Sequence, residues 1–460
     1  MSISERMVWI TMSAPPESQN GAAPLYLHAE LLPNIRHVTL HISVPSKPQS
    51  TDILPDISLS QSRRAVSVAL PEPFADVTDT IKLPARVTEA SRRLLTARRQ
   101  NARSTTTHVA AAAAAAAAAP GPRQEFSFRM QIDENDESLR AAADHLDSFV
   151  PWTAADMSPA TQLRCRRCEN LILGMPWRPA PSTTQWTWKD LPSGNWAEMM
   201  DFWHCHKPDS REERAAAHGD GARQLTEDEN SMIKGYGASN RVLATPGTVL
   251  VDVATFLVSD LDCRGLKKAS NENVDDISSK TEEELACENC NASVAVEDPV
   301  AKGRRLFKTS LSAGFPSTES NPEVISWESH PVELIVAAQL LELIERESAR
   351  RFVIHSGRGD GILIWVFNPD MRYSNSCSDH SITSQRAMKV FFQSISNAEE
   401  VLHPEPGKAS SLSLEELRLP LSDFTSLSDT LEASNAMLPL SARLFQEWRV
   451  GILHRFERSK

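Results

Sequence analysis

Residues 161–173 read TQLRCRRCENLIL. Short apolar segments flank Cys165 and Cys168, so the spacing predicts strand, knuckle, strand. A C-x-x-C turn is tight enough to aim two thiolates at one cation. A second turn of the same kind, CENC at 287–290, follows after a gap of 118 residues. Two such pairs supply the four soft ligands that tetrahedral Zn2+ prefers, which gives a shared structural zinc on Cys165, Cys168, Cys287 and Cys290. Two other readings stand beside it. The turns are unmetallated or completed by other residues, or they are thioredoxin-like redox pairs. The redox reading fits poorly, because neither motif opens a helix after a parallel strand.

Toward the N-terminus the pattern is β. Leu25, Leu27, Ala29 and Leu31 alternate, as do Val38, Leu40, Ile42 and Val44. Val66, Val68 and Leu70 predict a further strand, and Phe126, Phe128, Met130 and Ile132 another. No helical pattern separates these runs, so the pairing is expected to be antiparallel. Between them, residues 81–104 carry seven Lys or Arg and one acid, and Ala110 to Ala119 is an unbroken alanine run. Ten alanines bury little, so residues 81–123 read as an exposed basic and poly-Ala insertion.

Toward the C-terminus, Asn195 and Glu198 form a capping-box pattern. Trp196, Met199, Met200 and Trp203 then lie on one helix face, with His204, Cys205 and His206 at its last turn before Pro208. Residues 242–260 predict a hairpin of buried strands. Nine acids and one Lys fall within 270–300, so an acidic insertion is expected at 264–286. Pro331 opens a helix to Arg350, with Leu334, Ala337, Ala338, Leu341 and Ile344 on one face. A hairpin follows at 351–369, whose Arg358-Gly359-Asp360 reads as a turn. Met388 to Ile395 suits a strand. Ser441 is expected to cap a last helix, with Leu444, Phe445, Trp448, Ile452 and Phe456 facing inward.

The fold class that emerges is α+β, mainly antiparallel β. Residues 1–21 are expected to be a disordered N-terminus, 22–160 an N-terminal β region, and 161–460 a knuckle-containing α+β region. The chain has 460 residues with 48 Lys and Arg against 60 Asp and Glu, a formal charge of −12. That balance argues against a dedicated nucleic-acid binder. No apolar run of 18 residues predicts a membrane span. The start, MSISERMVWITMSAPPESQ, lacks the sustained apolar stretch of a secretory signal. Seven cysteines are an odd number, which with that start points to a reducing compartment rather than a disulfide framework.

The order of motifs resembles a known family, the HECT-like ubiquitin-conjugating-enzyme-binding proteins. The carriers are Cys165-x-x-Cys168, then Leu191-Pro192-Ser193 with Asn195-Trp196, then Trp203-His204-Cys205-His206. Cys287-x-x-Cys290 and the strand Leu363-Ile364-Trp365 leading to Asn368 and Asp370 complete the series. The resemblance implies a ubiquitin ligase of the cytoplasm and/or nucleus. Its partners would be a ubiquitin-conjugating enzyme, ubiquitin and a protein substrate. The alternative is a zinc-stabilised, non-enzymatic adaptor or client-stabilising protein. Covalent transfer needs an accessible, ionisable thiol. Once zinc takes four cysteines, Cys205, Cys263 and Cys377 remain. Cys205 is the candidate catalytic cysteine because imidazoles flank it. The helix C-terminus on which it sits disfavours an anion, and the readings of a further metal ligand, with or without His206, or a packed structural residue stand ahead of the nucleophile. Cys377 with His380 is the weaker nucleophile pair.

Overall fold

The computed structural model describes residues 25–45, 54–72, 74–101, 123–136, 149–175, 185–191, 242–269, 283–316, 325–377, 384–404 and 414–458. The chain divides into two compact units, one of Met1–Leu139 with Arg372–Gln385 and the other of Arg140–Met371 with Arg386–Lys460.

In the first unit, β1 (Tyr26–Leu32) and β2 (His37–Pro45) form a hairpin that pairs Leu27 with Ile42 and Leu31 with Val38. Three short strands, β3 (Asp56–Leu59), β4 (Ala65–Ala69) and β5 (Thr78–Lys82), make a separate antiparallel sheet. A helix, α1 (Glu89–Asn101), follows, and β6 (Arg123–Gln131) pairs antiparallel with β2. Residues 372–375 pair with β1 on its other side. Successive side chains of a strand point to opposite faces. Leu27, Ala29, Leu31, Val38, Leu40 and Ile42 therefore gather on one face, where they pack with Val66, Val68 and Ile81 in one core. The opposite face holds a buried pair, His28 Nε2 and Glu30 Oε1, 3.0 Å apart.

Among the described residues, the second unit contains three sheets. The first knuckle lies between β7 (Gln162–Cys165) and β8 (Leu171–Leu173). The next sheet is built from β9 (Thr187–Asp190), β10 (Thr248–Val251), β11 (Thr255–Val258), β12 (Leu266–Lys268), β13 (Glu284–Cys287), β14 (Ser293–Asp298) and β15 (Gly303–Phe307). Its spatial order is β12-β13-β14-β15-β11-β10-β9, antiparallel except for the parallel β9–β10 pair. The strands β16 (Leu311–Pro316) and β17 (Ile325–Glu328) extend β7–β8 into a four-stranded sheet.

The third sheet follows a helix, α2 (Val332–Glu347). Its strands are β18 (Arg351–His355), the part of β19 (Gly361–Asn375) before Arg372, β20 (Gln385–Ile395), β21 (Leu414–Arg418), β22 (Leu444–Phe445) and β23 (Trp448–His454). The helix α3 (Ala398–Leu402) is short, and α4 (Leu421–Met437) is the longest among the described residues. Val336 and Leu340 of α2 pack with Leu427 and Leu431 of α4 over Ile364, Val390 and Leu453 of this sheet. A second core of Leu163, Ile172, Phe256, Val294 and Leu306 surrounds the knuckles.

The structure is mostly antiparallel β with few helices, as the alternation predicts. The helix expected from Pro331 is α2, and the hairpin expected at 351–369 is β18–β19. The helix expected after Ser441 is instead the strand pair β22–β23. Leu444, Trp448, Ile452 and Phe456 recur every four residues, and four is a multiple of the strand period as well as close to a helical turn. Gly451 has nearly no room for a side chain, since a Cβ there would lie 2.9 Å from Leu431 Cδ2. The expected basic insertion also begins too early, because Ile81, Leu83, Ala85, Val87 and Leu95 are buried in the first core. The acidic insertion expected at 264–286 includes β12 and part of β13, which pair with each other. The alanine run, residues 1–21 and the helix expected from Asn195 lie outside the described residues.

Lys308 is fully buried, yet its ammonium donates to the carbonyls of Pro151 at 2.9 Å and Trp152 at 3.1 Å. Its Nζ also lies 5.2 Å from the Phe256 ring centroid. Burial pushes its pKa down to about 7, with Asp252, Asp190 and Asp156 opposing the shift. The folded value is below that of an unfolded lysine, ~10.4. Between the two the unfolded chain binds more protons, so stability rises with pH across that window. Denaturant unfolding from about pH 7 to 10 is expected to show a steeper rise for the wild type than for Lys308→Met. Parallel profiles would contradict the assignment.

Candidate metal centre

The two knuckles are built alike. In the first, the Glu169 N–H donates to the Cys165 carbonyl at 2.9 Å and the Cys165 N–H to the Asn170 carbonyl at 2.8 Å. In the second, the Asn291 N–H donates to the Cys287 carbonyl at 3.0 Å and the Cys287 N–H to the Ala292 carbonyl at 2.8 Å. Each turn closes with a left-handed residue directly after its second cysteine, Glu169 at φ 62° and Asn291 at φ 59°. That reversal brings both sulfurs of a turn to one side. Asparagine tolerates the conformation better than most residues, so Asn291 carries a sequence signal that Glu169 does not.

The structure brings all four predicted cysteines together. Their Sγ atoms lie within 4.8 Å of one another, with Cys165 and Cys290 3.7 Å apart and Cys168 and Cys287 3.5 Å apart. Metal–sulfur bonds of ~2.3 Å in a tetrahedron require sulfurs roughly 3.5–4 Å apart, so the group has the dimensions to hold a metal ion. Cys165 and Cys287 are buried in the surrounding core, while Cys168 and Cys290 are half-buried.

Burial pushes the Cys165 thiol up to about 12, against the N–H groups of Cys168 and Arg167, and the side chains of Cys290 and Cys168 add to the rise. Burial acts on Cys287 as well. There the N–H groups of Cys290 and Asn289, the Asn170 amide and the Cys168 side chain outweigh it and bring the thiol to about 7. Cys287 thus ionises more readily than Cys165. Four thiolates at this spacing repel one another, and a divalent cation is a group whose charge resolves that repulsion.

A loop from the acidic segment pins the two turns to each other. The Arg264 N–H donates to the Ile172 carbonyl beside the first knuckle at 2.9 Å, and the Gly265 carbonyl accepts from Glu288 N–H in the second at 2.9 Å. Asn170 Nδ2 reaches both the Gly265 carbonyl at 3.3 Å and Cys287 Sγ at 3.5 Å. Gly265 has φ +61°, and a Cβ there would lie 2.3 Å from Asn170 Nδ2. Neither residue stands out from its sequence neighbours, because the contact joins segments 95 positions apart.

Among the described residues, Cys263 and Cys377 are not part of this cluster. Cys205, with His204 and His206, lies outside the described residues. Cys263 packs against the same core, and burial pushes its thiol up to about 12 despite the Arg304 guanidinium beside it. Cys377 is half-buried in the first unit, and its N–H donates to Asn375 Oδ1 at 3.3 Å. Its expected companion His380 lies outside the described residues. Among the described residues, no helix is long and apolar enough to cross a membrane.

Three mostly antiparallel sheets among the described residues of one unit, two of them meeting at four convergent cysteines, define a cysteine-clamped β protein. The chain belongs to the HECT-like ubiquitin-conjugating enzyme (E2)-binding family, whose model matches residues 30–450. It is 25% identical over 318 residues to an uncharacterized protein of Schizosaccharomyces pombe, covering 67% of this chain and 78% of the relative. It is also 25% identical over 267 residues to an uncharacterized protein of Saccharomyces cerevisiae, covering 57% of this chain and 62% of that relative. No solved structure matches the chain.

Gly265→Ala is expected to cost about 1–3 kcal/mol of stability, from the left-handed backbone and the encroachment on Asn170. Asn291→Val is expected to cost about 1–2 kcal/mol, while Asn291→Gly changes little. Chemical denaturation measures all three, and equal stability of the Val and Gly variants would contradict the turn geometry.

Proposed function

We propose that this chain is a zinc-stabilised protein that binds a ubiquitin-conjugating enzyme and promotes ubiquitin transfer to protein substrates in the cytoplasm and/or nucleus. The observation that carries the binding half is membership of the E2-binding family across residues 30–450. The zinc assignment is supported by an all-sulfur donor set, since soft thiolates at tetrahedral spacing favour Zn2+ over Mg2+ or Ca2+. Cys165, Cys168, Cys287 and Cys290 would hold the ion. Four protein ligands close its coordination sphere, so the ion would order the fold rather than polarise a substrate.

Transfer through a thioester would use Cys205 as the acceptor thiol. Its thiolate would attack the conjugating enzyme's thioester carbon, expelling that enzyme's cysteine as the leaving thiolate. A substrate lysine amine would then displace Cys205 and form the isopeptide bond. The second reading is a non-enzymatic adaptor that positions the conjugating enzyme or stabilises a client.

Incubation with ubiquitin-charged conjugating enzyme, followed by non-reducing gels, separates the two. A reducible ubiquitin adduct that disappears in Cys205→Ala but persists in Cys377→Ala is expected for thioester transfer. Binding of the enzyme with no adduct would leave the adaptor. Absence of binding to a full panel of conjugating enzymes would overturn both. For the metal, elemental analysis is expected to find one zinc per chain, lost in both Cys165→Ser and Cys287→Ser. Unchanged metal content in either variant would rule out a shared site.

A further inference from the structure

Alternation along the strands of the third sheet sends their side chains to two faces. Ile364 and Val366 of β19, Val390 and Phe392 of β20, and Leu453 of β23 lie in the core beneath α2 and α4. Trp365, Phe367 and Phe391 fall between those positions and so lie on the opposite face. Phe391 is paired with Val450, two residues from Trp448, and Trp448 is paired with Phe445, which places those two rings on the same side. The five rings form one connected cluster. Phe391 is its floor, only 3% exposed, with Phe367 at 4.9 Å and Phe445 stacked on it at 4.8 Å. Trp365 meets Phe391 at 5.3 Å and Trp448 at 6.2 Å.

This face is open to solvent. Phe367 is 48% exposed and Phe445 42%, and they are the only aromatic residues among the exposed large hydrophobic side chains of the described residues. Both rest on the same buried ring, and Trp365 and Trp448 beside them are half-buried. Apolar side chains scattered singly over a surface need no explanation, whereas touching ones mark a contact site. The charged side chain in contact with these rings is Arg351, whose guanidinium lies 5.3 Å from the Trp365 ring centroid. Arg351 is exposed, and no carboxylate pairs with it among the described residues. The surface therefore presents an apolar centre with an uncompensated cation at its side.

Aromatic residues and arginine clustered about a packed centre dominate the energetics of protein interfaces. The partner class that family membership supplies is a ubiquitin-conjugating enzyme. We propose that this aromatic face docks the conjugating enzyme, through an apolar segment of that enzyme laid across Phe367, Phe391 and Phe445, with an adjacent carboxylate paired to Arg351. The site rests on the reading of the chain as an E2-binding protein and locates that binding on one surface. It requires neither a metal on the cysteine cluster nor transfer through Cys205.

Calorimetric titration of the full chain with a panel of conjugating enzymes tests it. The Phe367→Ser, Phe445→Ser double variant is expected to weaken binding at least about tenfold. Arg351→Glu removes nothing from the core beneath the helices, and is expected to weaken binding at least about fivefold, with a larger loss at low salt. Leu261→Ser, at a side chain 78% exposed between β11 and β12, is expected to bind as the wild type does. Wild-type binding with unchanged affinity in the double variant or in Arg351→Glu would overturn the proposal and leave the family reading intact. No binding of the wild type to any enzyme of the panel would overturn both. Sedimentation of the same proteins reads the alternative occupant. A wild-type dimer that the double variant dissociates, with affinity for the enzyme unchanged, would make the face an interface between copies and overturn the proposal.

Discussion

The convergence of four sulfurs is the constraint on which the second unit depends. Cys168 and Cys287 are 119 positions apart, yet their sulfurs are 3.5 Å apart. The first turn belongs to the four-stranded sheet through β7 and β8, and the second to the seven-stranded sheet through β13 and β14. The cluster is therefore the point at which two sheets are fixed to each other. In the chain-entropy account, a cross-link closing a loop of this length contributes on the order of 4–5 kcal/mol. A metal on the four sulfurs would act as such a cross-link, and the core of Leu163, Ile172, Val294 and Leu306 around it would form on that frame.

A metal held by these four cysteines would have no open position for water or substrate, which would separate structure from chemistry, and the turns that carry the sulfurs are held by short backbone bonds on both sides. With such a metal in place, chemistry on a partner would fall elsewhere on the chain. Family membership supplies the class of partner, a ubiquitin-conjugating enzyme.

Much of this architecture is legible in the sequence, for identifiable reasons. Strict alternation in Leu27–Leu31 and Val38–Val44 marks strands with one buried face, and two C-x-x-C turns mark the sulfurs. The C-terminal segment is ambiguous at the level of pattern, because a repeat of four satisfies both helix and strand; its antiparallel pairing with β20, from Ala387 opposite His454 to Phe392 opposite Arg449, is the tertiary fact that decides it. The helix α4 has only Phe424, Leu427 and Leu431 as a sparse apolar stripe among serines and threonines, too thin a signal to read alone. Asn170, Gly265 and Lys308 act through contacts between distant segments, and no local spacing announces them. Cys205, the residue on which covalent transfer would turn, is the part of the reading that rests on its neighbours in the sequence.

X-ray absorption at the zinc edge of the purified full chain tests the central claim most directly. A first shell of four sulfurs at ~2.3 Å, with no nitrogen or oxygen component, is the result expected for a single ion on Cys165, Cys168, Cys287 and Cys290. A mixed sulfur and nitrogen or oxygen shell, or no zinc, would show that the two turns do not share one tetrahedral zinc.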